Sequence, residues 1–204
     1  MLSSKEINIL IEAAQLYKNN LLNMNVMFIH YNKKTHKYSY SEMLFEKKNF
    51  LHLTGIQFIE SEEENKKSVL FYNKCINNKL SKKDILPKQN GTTVLKLEII
   101  RVIMNLHTNT SMIGEYNYSK PKLIVDKICG GVYASLGIDK GDNGYFYPKS
   151  TLQEDIRKLV TSYDIVEGIM IKNRNEKVYK RFTKNKLKVA INDLPDDIKK
   201  KIDI

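Results

Sequence analysis

A histidine followed two residues later by a hydroxyl group is the clearest candidate for chemistry in this sequence. His52 lies in the segment Asn49-Phe50-Leu51-His52-Leu53-Thr54-Gly55. In an extended segment, His52 and Thr54 would point to one face and the two leucines to the other. A neutral imidazole beside a hydroxyl group, ahead of a glycine that lets the backbone turn, suits general acid–base chemistry on a phosphodiester near neutral pH. The alternative for a single histidine in a strand is a hydrogen-bonded structural group.

Several other kinds of active site lack their sequence signature. The chain has no P-loop, GxGxxG, HExxH or GxSxG motif, which argues against nucleotide hydrolases, dinucleotide enzymes and zinc proteases. Its two cysteines, Cys75 and Cys129, cannot build a zinc knuckle alone, and we expect both to be buried apolar residues. We therefore expect neither a metal site nor a cofactor.

The basic residues favour a polyanionic partner such as nucleic acid. The 204-residue chain has a net charge of +11, but lysine supplies 30 of its 34 basic residues, a bias expected of an AT-rich genome. Residues 172–188 hold eight basic residues against one acidic residue, with two aromatic residues interleaved. This segment is either a phosphate-binding hairpin with stacking faces or a solvated sheet edge protected by lysine. Its candidate substrate contacts are Lys177, Lys180 and Arg181.

The first half of the sequence contains mainly helical spacing. Residues 3–22 open with a serine cap and repeat apolar residues at helical intervals. Ser61 and Glu64 form a capping box that predicts a second helix. An apolar run at residues 26–31 and an extended stretch at 38–45 predict a hairpin. The strongest helix follows Gly91, and its predicted apolar stripe consists of Leu95, Ile99, Val102, Ile103 and Leu106.

The second half has the pattern of an antiparallel sheet. From residue 111, short segments rich in branched and aromatic residues are separated by Gly, Pro and Asn turns. Thr151 and Glu154 form a capping box that predicts one interrupting helix. Helices ahead of antiparallel strands indicate an α+β fold, and we expect residues 1–204 to form a single domain. The predicted strands are residues 112–118, 122–128, 131–138, 163–172 and 177–182.

The sequence carries no signal for a membrane. No apolar run reaches about 18 residues, the length that a membrane-spanning helix needs. The amino terminus has the pattern of an amphipathic helix that contains Glu6 and Glu12, unlike a secretory signal. We therefore expect a cytoplasmic protein with no membrane partner.

A series of short motifs gives the sequence a family resemblance over residues 5–185. In order, the chain carries Phe50-Leu51-His52-Leu53-Thr54-Gly55, Phe71-Tyr72-Asn73-Lys74-Cys75, Lys79-Leu80-Ser81, Gly91-Thr92-Thr93, Leu95-Lys96-Leu97, Met112-Ile113-Gly114-Glu115-Tyr116-Asn117, Asp126-Lys127, Ser135-Leu136-Gly137, Tyr147-Pro148-Lys149-Ser150-Thr151-Leu152 and Glu154-Asp155-Ile156-Arg157. This series resembles the fourth group of phage-associated barnase/EndoU/colicin E5-D/RelE-like nuclease domains, which are found on mobile elements of low-GC Gram-positive bacteria.

The resemblance implies amino-terminal helices packed on a curved antiparallel β-sheet and a metal-independent ribonuclease. In such an enzyme, a general base takes the proton of a ribose 2′-hydroxyl group, whose oxygen attacks the adjacent phosphate. A general acid then protonates the departing 5′ oxygen, while a cation stabilises the phosphoryl oxygens. On this resemblance, His52 is the acid–base group with the Thr54 hydroxyl group as its neighbour, and Lys127 or Arg157 clamps the phosphate. Tyr147 and Thr151 are candidates for a base-stacking or phosphate contact at the start of the helix predicted from Leu152.

Structural explanations exist for three of these residues. Thr151 has the position of a helix N-cap, Arg157 that of a surface residue on the same helix, and Lys127 is one lysine among many. His107, near the end of the strong helix, would be a second acid–base group only if the fold placed it near a shared substrate atom.

Three functions remain open at this stage. The first is an RNA-cleaving toxin or phage-defence effector, with a protein antidote as a further partner. The second is a non-catalytic inhibitor, encoded by a mobile element, that binds nucleic acid, a protein or a phage or host nucleoprotein. The third, which has the least support, is a structural component of a phage particle.

Overall fold

The computed structural model describes residues 2–60, 64–118 and 122–204. Its helices are α1 (Ser4–Asn20), α2 (Lys47–Thr54), α3 (Glu64–Ile76), α4 (Thr92–Ile103), α5 (Leu106–Asn109) and α6 (Asp196–Lys199), with 3-10 turns at Lys82–Asp84, Ile156–Lys158 and Ile191–Asp193. Its strands are β1 (Met24–Asn32), β2 (Lys37–Leu44), β3 (Ile56–Phe58), β4 (Ile85–Pro87), β5 (Met112–Tyr116), β6 (Lys127–Gly130), β7 (Ser135–Lys140), β8 (Phe146–Leu152), β9 (Val160–Asn173) and β10 (Arg181–Asn185).

Local side-chain hydrogen bonds start the first two elements where the sequence predicts them. The Ser3 hydroxyl group accepts a bond from the Glu6 backbone N–H, and the Glu6 carboxylate accepts one from the Ser3 N–H, which completes a capping box at α1. At the turn between β1 and β2, the Asn32 side chain accepts bonds from the backbone N–H groups of Lys34 and Thr35. The predicted amino-terminal helix and hairpin are therefore confirmed.

Seven strands close into a β-barrel. Their order is β1-β2-β8-β7-β6-β5-β9, and β9 pairs with β1 to complete the ring, while β10 pairs with β9 outside it. The contact between β2 and β8 is parallel and consists of one residue pair, Met43 with Phe146. All other pairs in this sheet are antiparallel.

The α+β class is confirmed, but the sheet is a closed barrel with one parallel junction rather than the curved antiparallel β-sheet that was expected. The physical reason is the length of β9, which has 14 residues. Residues 160–165 of β9 pair with β5 and residues 168–171 pair with β10 along one edge, while residues 165–173 pair with β1 along the other edge. One long strand therefore joins both ends of the sheet.

The helices pack against one part of the barrel and share its core. The largest apolar cluster combines Leu10, Leu53 and Ile100 from the helices with inward residues of the strands, among them Phe28 and Ile138. A second cluster, which includes Met27, Met170 and Ile198, covers the outer face of the barrel beneath the carboxyl-terminal segment. The interior of the barrel is thus apolar at the end where the helices pack. On the outside, the carboxyl-terminal segment covers β1 and β9.

The segment around His52 is helical, so the extended conformation predicted for it is wrong. The Glu46 backbone N–H donates to the Asn49 side chain at 2.8 Å, which starts α2, and Gly55 ends it with a φ of 68°. Helical spacing buries Phe50 and Leu53 and leaves His52 exposed. His52 and Thr54 therefore do not share a face.

Two further sequence predictions need correction. Thr151 lies within β8, and the helix predicted after it is a 3-10 turn capped by Asp155, because strand pairing with β7 continues through residue 152. On α4, Leu95 and Val102 are exposed, and Ile99 and Ile103 carry the buried face. A packing face set by neighbouring elements, rather than the apolar pattern alone, decides which residues are buried.

The remaining expectations concern the start of α3, the two cysteines and membrane-spanning helices. The predicted capping box at Ser61 and Glu64 lies outside the described residues, although α3 does begin at Glu64. Cys75 and Cys129 are both buried and unpaired, as expected, and burial raises the pKa of each thiol to about 12. Among the residues described, no helix has the length and hydrophobicity to span a membrane.

Close contact between β5 and β9 requires glycine at position 114. A Cβ atom there would meet the Ser162 carbonyl oxygen far inside van der Waals contact and would lie 3.1 Å from the Val160 Cβ. We expect Gly114→Ala to lower the free energy of unfolding by roughly 1–3 kcal/mol, because the two strands must separate. Urea denaturation measures this change.

Gly131→Ala is the matched control for Gly114→Ala. A Cβ atom at Gly131 would have the Ser111 hydroxyl oxygen as its nearest neighbour at 3.5 Å, an ordinary contact. Equal stability changes in the two variants would contradict the assignment of the close β5–β9 contact.

Candidate active site

A layer of polar side chains lines the barrel interior beyond its apolar layer. Because residues two apart on a strand share a face, each of five strands places one apolar and one polar residue on its inner face, and Glu115 is the exposed member of the polar group. Cross-strand pairing joins these positions, since Phe28 pairs with Ser41, Ile113 with Asp164, and Glu115 with Lys127. The pairs along the strands are Phe28 and His30, Met43 and Ser41, Ile113 and Glu115, Cys129 and Lys127, and Val166 and Asp164.

His30 is held between a carboxylate and a hydroxyl group. Its Nδ1 lies 2.7 Å from the Asp164 Oδ2, and its Nε2 lies 3.2 Å from the Ser41 Oγ. The ring is 4% exposed and Ser41 is 3% exposed. The network assigns the Nδ1 proton to the bond with Asp164, which leaves the Nε2 lone pair toward the Ser41 hydroxyl group. Three strands thus position one hydrogen-bonded triad, with His30 on β1, Ser41 on β2 and Asp164 on β9.

Asp164 is an ionised partner for this ring. The hydrogen bond from His30 lowers the pKa of Asp164 most, burial opposes this effect, and the charge of His30, a bond from Asn32 and the charge of Lys127 lower it further. The Asn32 side chain donates to Asp164 Oδ1 at 2.7 Å. A carboxylate bonded in this way fixes the orientation of the imidazole and stabilises positive charge on it.

Two adjoining cavities open onto the polar layer. The histidine recess, with a volume of about 220 Å³, is lined by His30, Asn32, Ile113, Gly114, Glu115, Lys127, Ser162 and Asp164. The seam cavity, with a volume of about 800 Å³, lies between β2 and the turn from β7 to β8. Glu115 and Lys127 line both, and Ser41 lines the seam cavity. The hydroxyl group bonded to His30 therefore belongs to a residue at the larger cavity.

The seam cavity exists because β2 and β8 barely pair. Both strands lie wholly within the described residues, and beyond the single pair of Met43 with Phe146 no further pairing joins them. Aromatic and charged residues occupy the space between them, and the Lys127 ammonium group lies 5.5 Å from the centre of the Phe146 ring. The other residues that line the seam cavity include Tyr40, Glu42, Tyr116, Tyr118, Asp126, Lys140, Asn143, Tyr145 and Lys201.

The arrangement combines the groups needed for acid–base chemistry on an anion. His30 and Glu115 can each accept or donate a proton, and Lys127 supplies a positive charge in the same recess. Aromatic rings in the seam cavity offer flat faces for stacking. Among the described residues, no three His, Cys, Asp or Glu side chains gather closely enough to hold a metal ion.

Comparison with known families identifies the class of protein. The family model described as phage-Barnase-EndoU-ColicinE5/D-RelE like nuclease 4 matches residues 9–188. The chain belongs to this family. No curated protein and no solved structure matched the chain. The matched range of this nuclease-like protein contains every residue that lines the histidine recess.

Two of the residues predicted as phosphate clamps lie at or near the polar layer. Lys127 lines both cavities, as described above. Arg157 lines a neighbouring groove that shares Asn32 and Ser162 with the histidine recess. Its guanidinium group bonds to the Asp155 carboxylate through Nε at 3.0 Å and Nη2 at 2.5 Å. Arg157 is therefore held by a carboxylate at the edge of the site.

The structure places His52 and Tyr147 together in a different cavity. That cavity, of about 400 Å³, is also lined by Lys48, Lys140 and Lys149, and His30 is not among its residues. The Tyr147 hydroxyl group accepts a bond from the Asn143 side chain at 2.9 Å.

The two predicted threonines make structural bonds beside α2. The Thr54 hydroxyl group is buried, donates to the Leu51 carbonyl at 2.8 Å and accepts from the Ile56 N–H. Thr151 donates to the Leu53 carbonyl at 2.8 Å. β8 extends through Leu152 and no helix starts there, so the predicted helix start, at which a phosphate contact was expected, is wrong.

The predicted basic contacts lie on the outer surface rather than in either cavity. Lys180 forms an ion pair with Asp203 at 3.6 Å, and the Lys177 carbonyl accepts a bond from Lys172. Arg181 begins β10 and pairs with Ile171. The neighbouring His107, on α5, has its pKa lowered by burial and then by the charge of Arg181, and it lines neither the histidine recess nor the seam cavity.

Sequence reasoning missed His30, Ser41, Glu115 and Asp164. Asp164 follows His30 by 134 residues, so no local motif joins them. A usable signal did exist, because each of these polar residues stands two positions from an apolar inward residue of the same strand. Only the order of the strands reveals that these positions meet.

The Asp164 carboxylate contributes stability that depends on pH. Because its pKa lies below the ordinary value of 3.8, the contribution is complete above that value and is lost as the pH falls through the lowered pKa. We expect Asp164→Asn to be clearly less stable than the native chain at pH 6, and we expect this difference to be smaller at pH 2, because the native carboxylate is protonated as the pH falls through its lowered pKa. Urea denaturation at both pH values checks this, and an equal difference at both would contradict it.

Proposed function

We propose that this nuclease-like protein is a metal-independent endoribonuclease whose active site is the histidine recess together with the seam cavity. The observation that carries the proposal is His30, fixed by Asp164 and bonded to Ser41, with Lys127 beside them. Attack by a ribose 2′-hydroxyl group needs an acid–base pair and a positive charge, and no redox or group-transfer cofactor. RNA is the substrate because DNA lacks that hydroxyl group.

In the proposed reaction, Glu115 accepts the proton of the 2′-hydroxyl group as its oxygen attacks phosphorus. Lys127 stabilises the charge that develops on the phosphoryl oxygens. His30 in its protonated form, stabilised by Asp164, delivers a proton through the Ser41 hydroxyl group to the departing 5′ oxygen. The products are a 2′,3′-cyclic phosphate and a free 5′-hydroxyl group.

The biological role that we propose follows from the family description. It names phage and the colicins E5 and D, and on that basis we extend the proposal to a toxin or phage-defence effector of a mobile element. A protein antidote is then an expected partner, and the cytoplasm, where RNA is exposed, the expected place of action.

The decisive experiment is cleavage of an end-labelled RNA in excess EDTA by the native chain and by His30→Gln. We expect defined fragments with cyclic phosphate ends from the native chain and a reduction in kcat of at least about 100-fold in the variant, because proton transfer is lost. His36→Asn is the matched control. His36 is an exposed histidine at the turn of the same hairpin, and its φ of 55° is one that asparagine tolerates.

His52→Ala separates the two cavities. Loss of cleavage in His52→Ala, with activity retained in His30→Gln, would overturn the assignment to the histidine recess and move the active site to the cavity of His52 and Tyr147. Intact RNA that the native chain nonetheless retards on a gel would instead favour the non-catalytic binding function.

Lys127 gives a second test of the reaction. We expect Lys127→Gln to lower kcat by about 100-fold with a small change in KM, because the ammonium group acts on charge that develops in the transition state. Lys5→Gln removes the same charge from the exposed surface of α1, and Lys5 lines none of the cavities described above. An effect on KM alone would show that Lys127 binds the substrate without stabilising the transition state.

A further inference from the structure

The carboxyl-terminal segment reaches the seam cavity from outside the family's matched range. This segment, residues 189–204, follows the last matched residue and packs on the outer face of the barrel. Leu194 and Ile198 are buried there against Met27, Ile29 and Met170. The family assignment therefore accounts for none of its residues, yet Lys201 lines the cavity.

Backbone bonds fix Lys201 in place. The Tyr179 N–H donates to the Lys201 carbonyl at 2.7 Å, and the Asp203 N–H donates to the Tyr179 carbonyl at 2.9 Å. Tyr179 is itself fully buried. The backbone at Lys201 and at Asp203 is thus tied to one buried residue.

Glu42 directs the Lys201 side chain into the seam. The Lys201 ammonium group donates to Glu42 Oε2 at 2.7 Å, and the Tyr179 hydroxyl group donates to Glu42 Oε1 at 2.8 Å. The ammonium group also lies 5.1 Å from the centre of the Tyr40 ring. The Lys201 side chain is 31% exposed and that of Glu42 is 9% exposed, so the pair presents its cation rather than its carboxylate.

Lys201 remains charged in this position. Burial lowers the pKa of Lys201, but the hydrogen bond and the charge of Glu42 outweigh burial, so that the pKa is raised overall. An ammonium group has three N–H donors, and the bond to Glu42 uses one of them.

We propose that Lys201 binds a backbone phosphate of single-stranded RNA at the outer lip of the seam, which makes the carboxyl-terminal segment part of the substrate-binding site. This inference rests on the proposed function. Lys127 lies at the inner lip of the same cavity, so one strand that passes between β2 and β8 meets a cation on each side. Tyrosines that line the same cavity, such as Tyr40 and Tyr145, provide stacking faces for the bases.

Binding to an RNA strand that cannot be cleaved tests this inference separately from catalysis. The probe is a fluorescent single-stranded oligonucleotide with 2′-O-methyl groups, and fluorescence anisotropy gives Kd across a series of salt concentrations. Lys201→Gln should bind about tenfold more weakly at about 50 mM salt, and the slope of log K against log salt should fall by about 0.7, the value for one lost phosphate contact. Lys200→Gln, the exposed neighbour with the same loss of charge, should leave both quantities unchanged.

The double variant Glu42→Gln/Lys201→Gln distinguishes phosphate binding from a structural role. It removes the buried carboxylate together with its cation, and the new amide group at position 42 keeps an oxygen for the Tyr179 hydroxyl group. If Lys201 binds phosphate, the double variant retains the reduced slope. Native binding in the double variant, an unchanged slope in Lys201→Gln, or no binding by the native chain would each overturn the inference. Binding without cleavage by the native chain would overturn the proposed function and leave the role of Lys201 intact.

Discussion

Closure of the ring by β9 is the constraint on which the rest of the structure depends. Because β9 pairs with β5 along one edge and with β1 along the other, Asp164 is brought beside His30. The pairing of β1 with β9 has a register shift between Ile29 and His30. A β-bulge of this kind changes the direction of the side chains that follow it. Without this closure, the carboxylate and the imidazole would lie on opposite ends of an open sheet.

Hydrogen bonds balance two carboxylates of β9, Asp164 inside the barrel and Glu167 on its outer face. Asp164 accepts bonds from His30 and Asn32, and the nearly buried Glu167 accepts one from the Tyr38 hydroxyl group at 2.6 Å. Burial, followed by the bond to Glu167, raises the pKa of Tyr38 to about 12, so this phenol remains a donor. A charge in a low-dielectric interior is tolerated when such donors are already in place, and their fixed positions also keep the polar layer rigid.

The sequence predicts local structure well here and the site poorly, for a physical reason. The serine cap of α1, the hairpin turn at Asn32 and the α+β class all follow from interactions between residues close in sequence. His52 was misplaced because a short segment with alternating apolar residues fits a strand and a helix equally well, and the capping bonds of Asn49 decide between them. His30 and Asp164 could not be paired from the sequence, because strand order, rather than local pattern, joins them.

The single residue pair between β2 and β8 has a consequence for how the barrel moves. Every other junction in the ring is a ladder of several pairs, so local opening costs least where Met43 meets Phe146. The helices and the long strand β9 hold the remaining strands in register while this one junction separates. A widening of this one slot would therefore enlarge the seam cavity, while the residues of the histidine recess keep their arrangement because their strands stay paired.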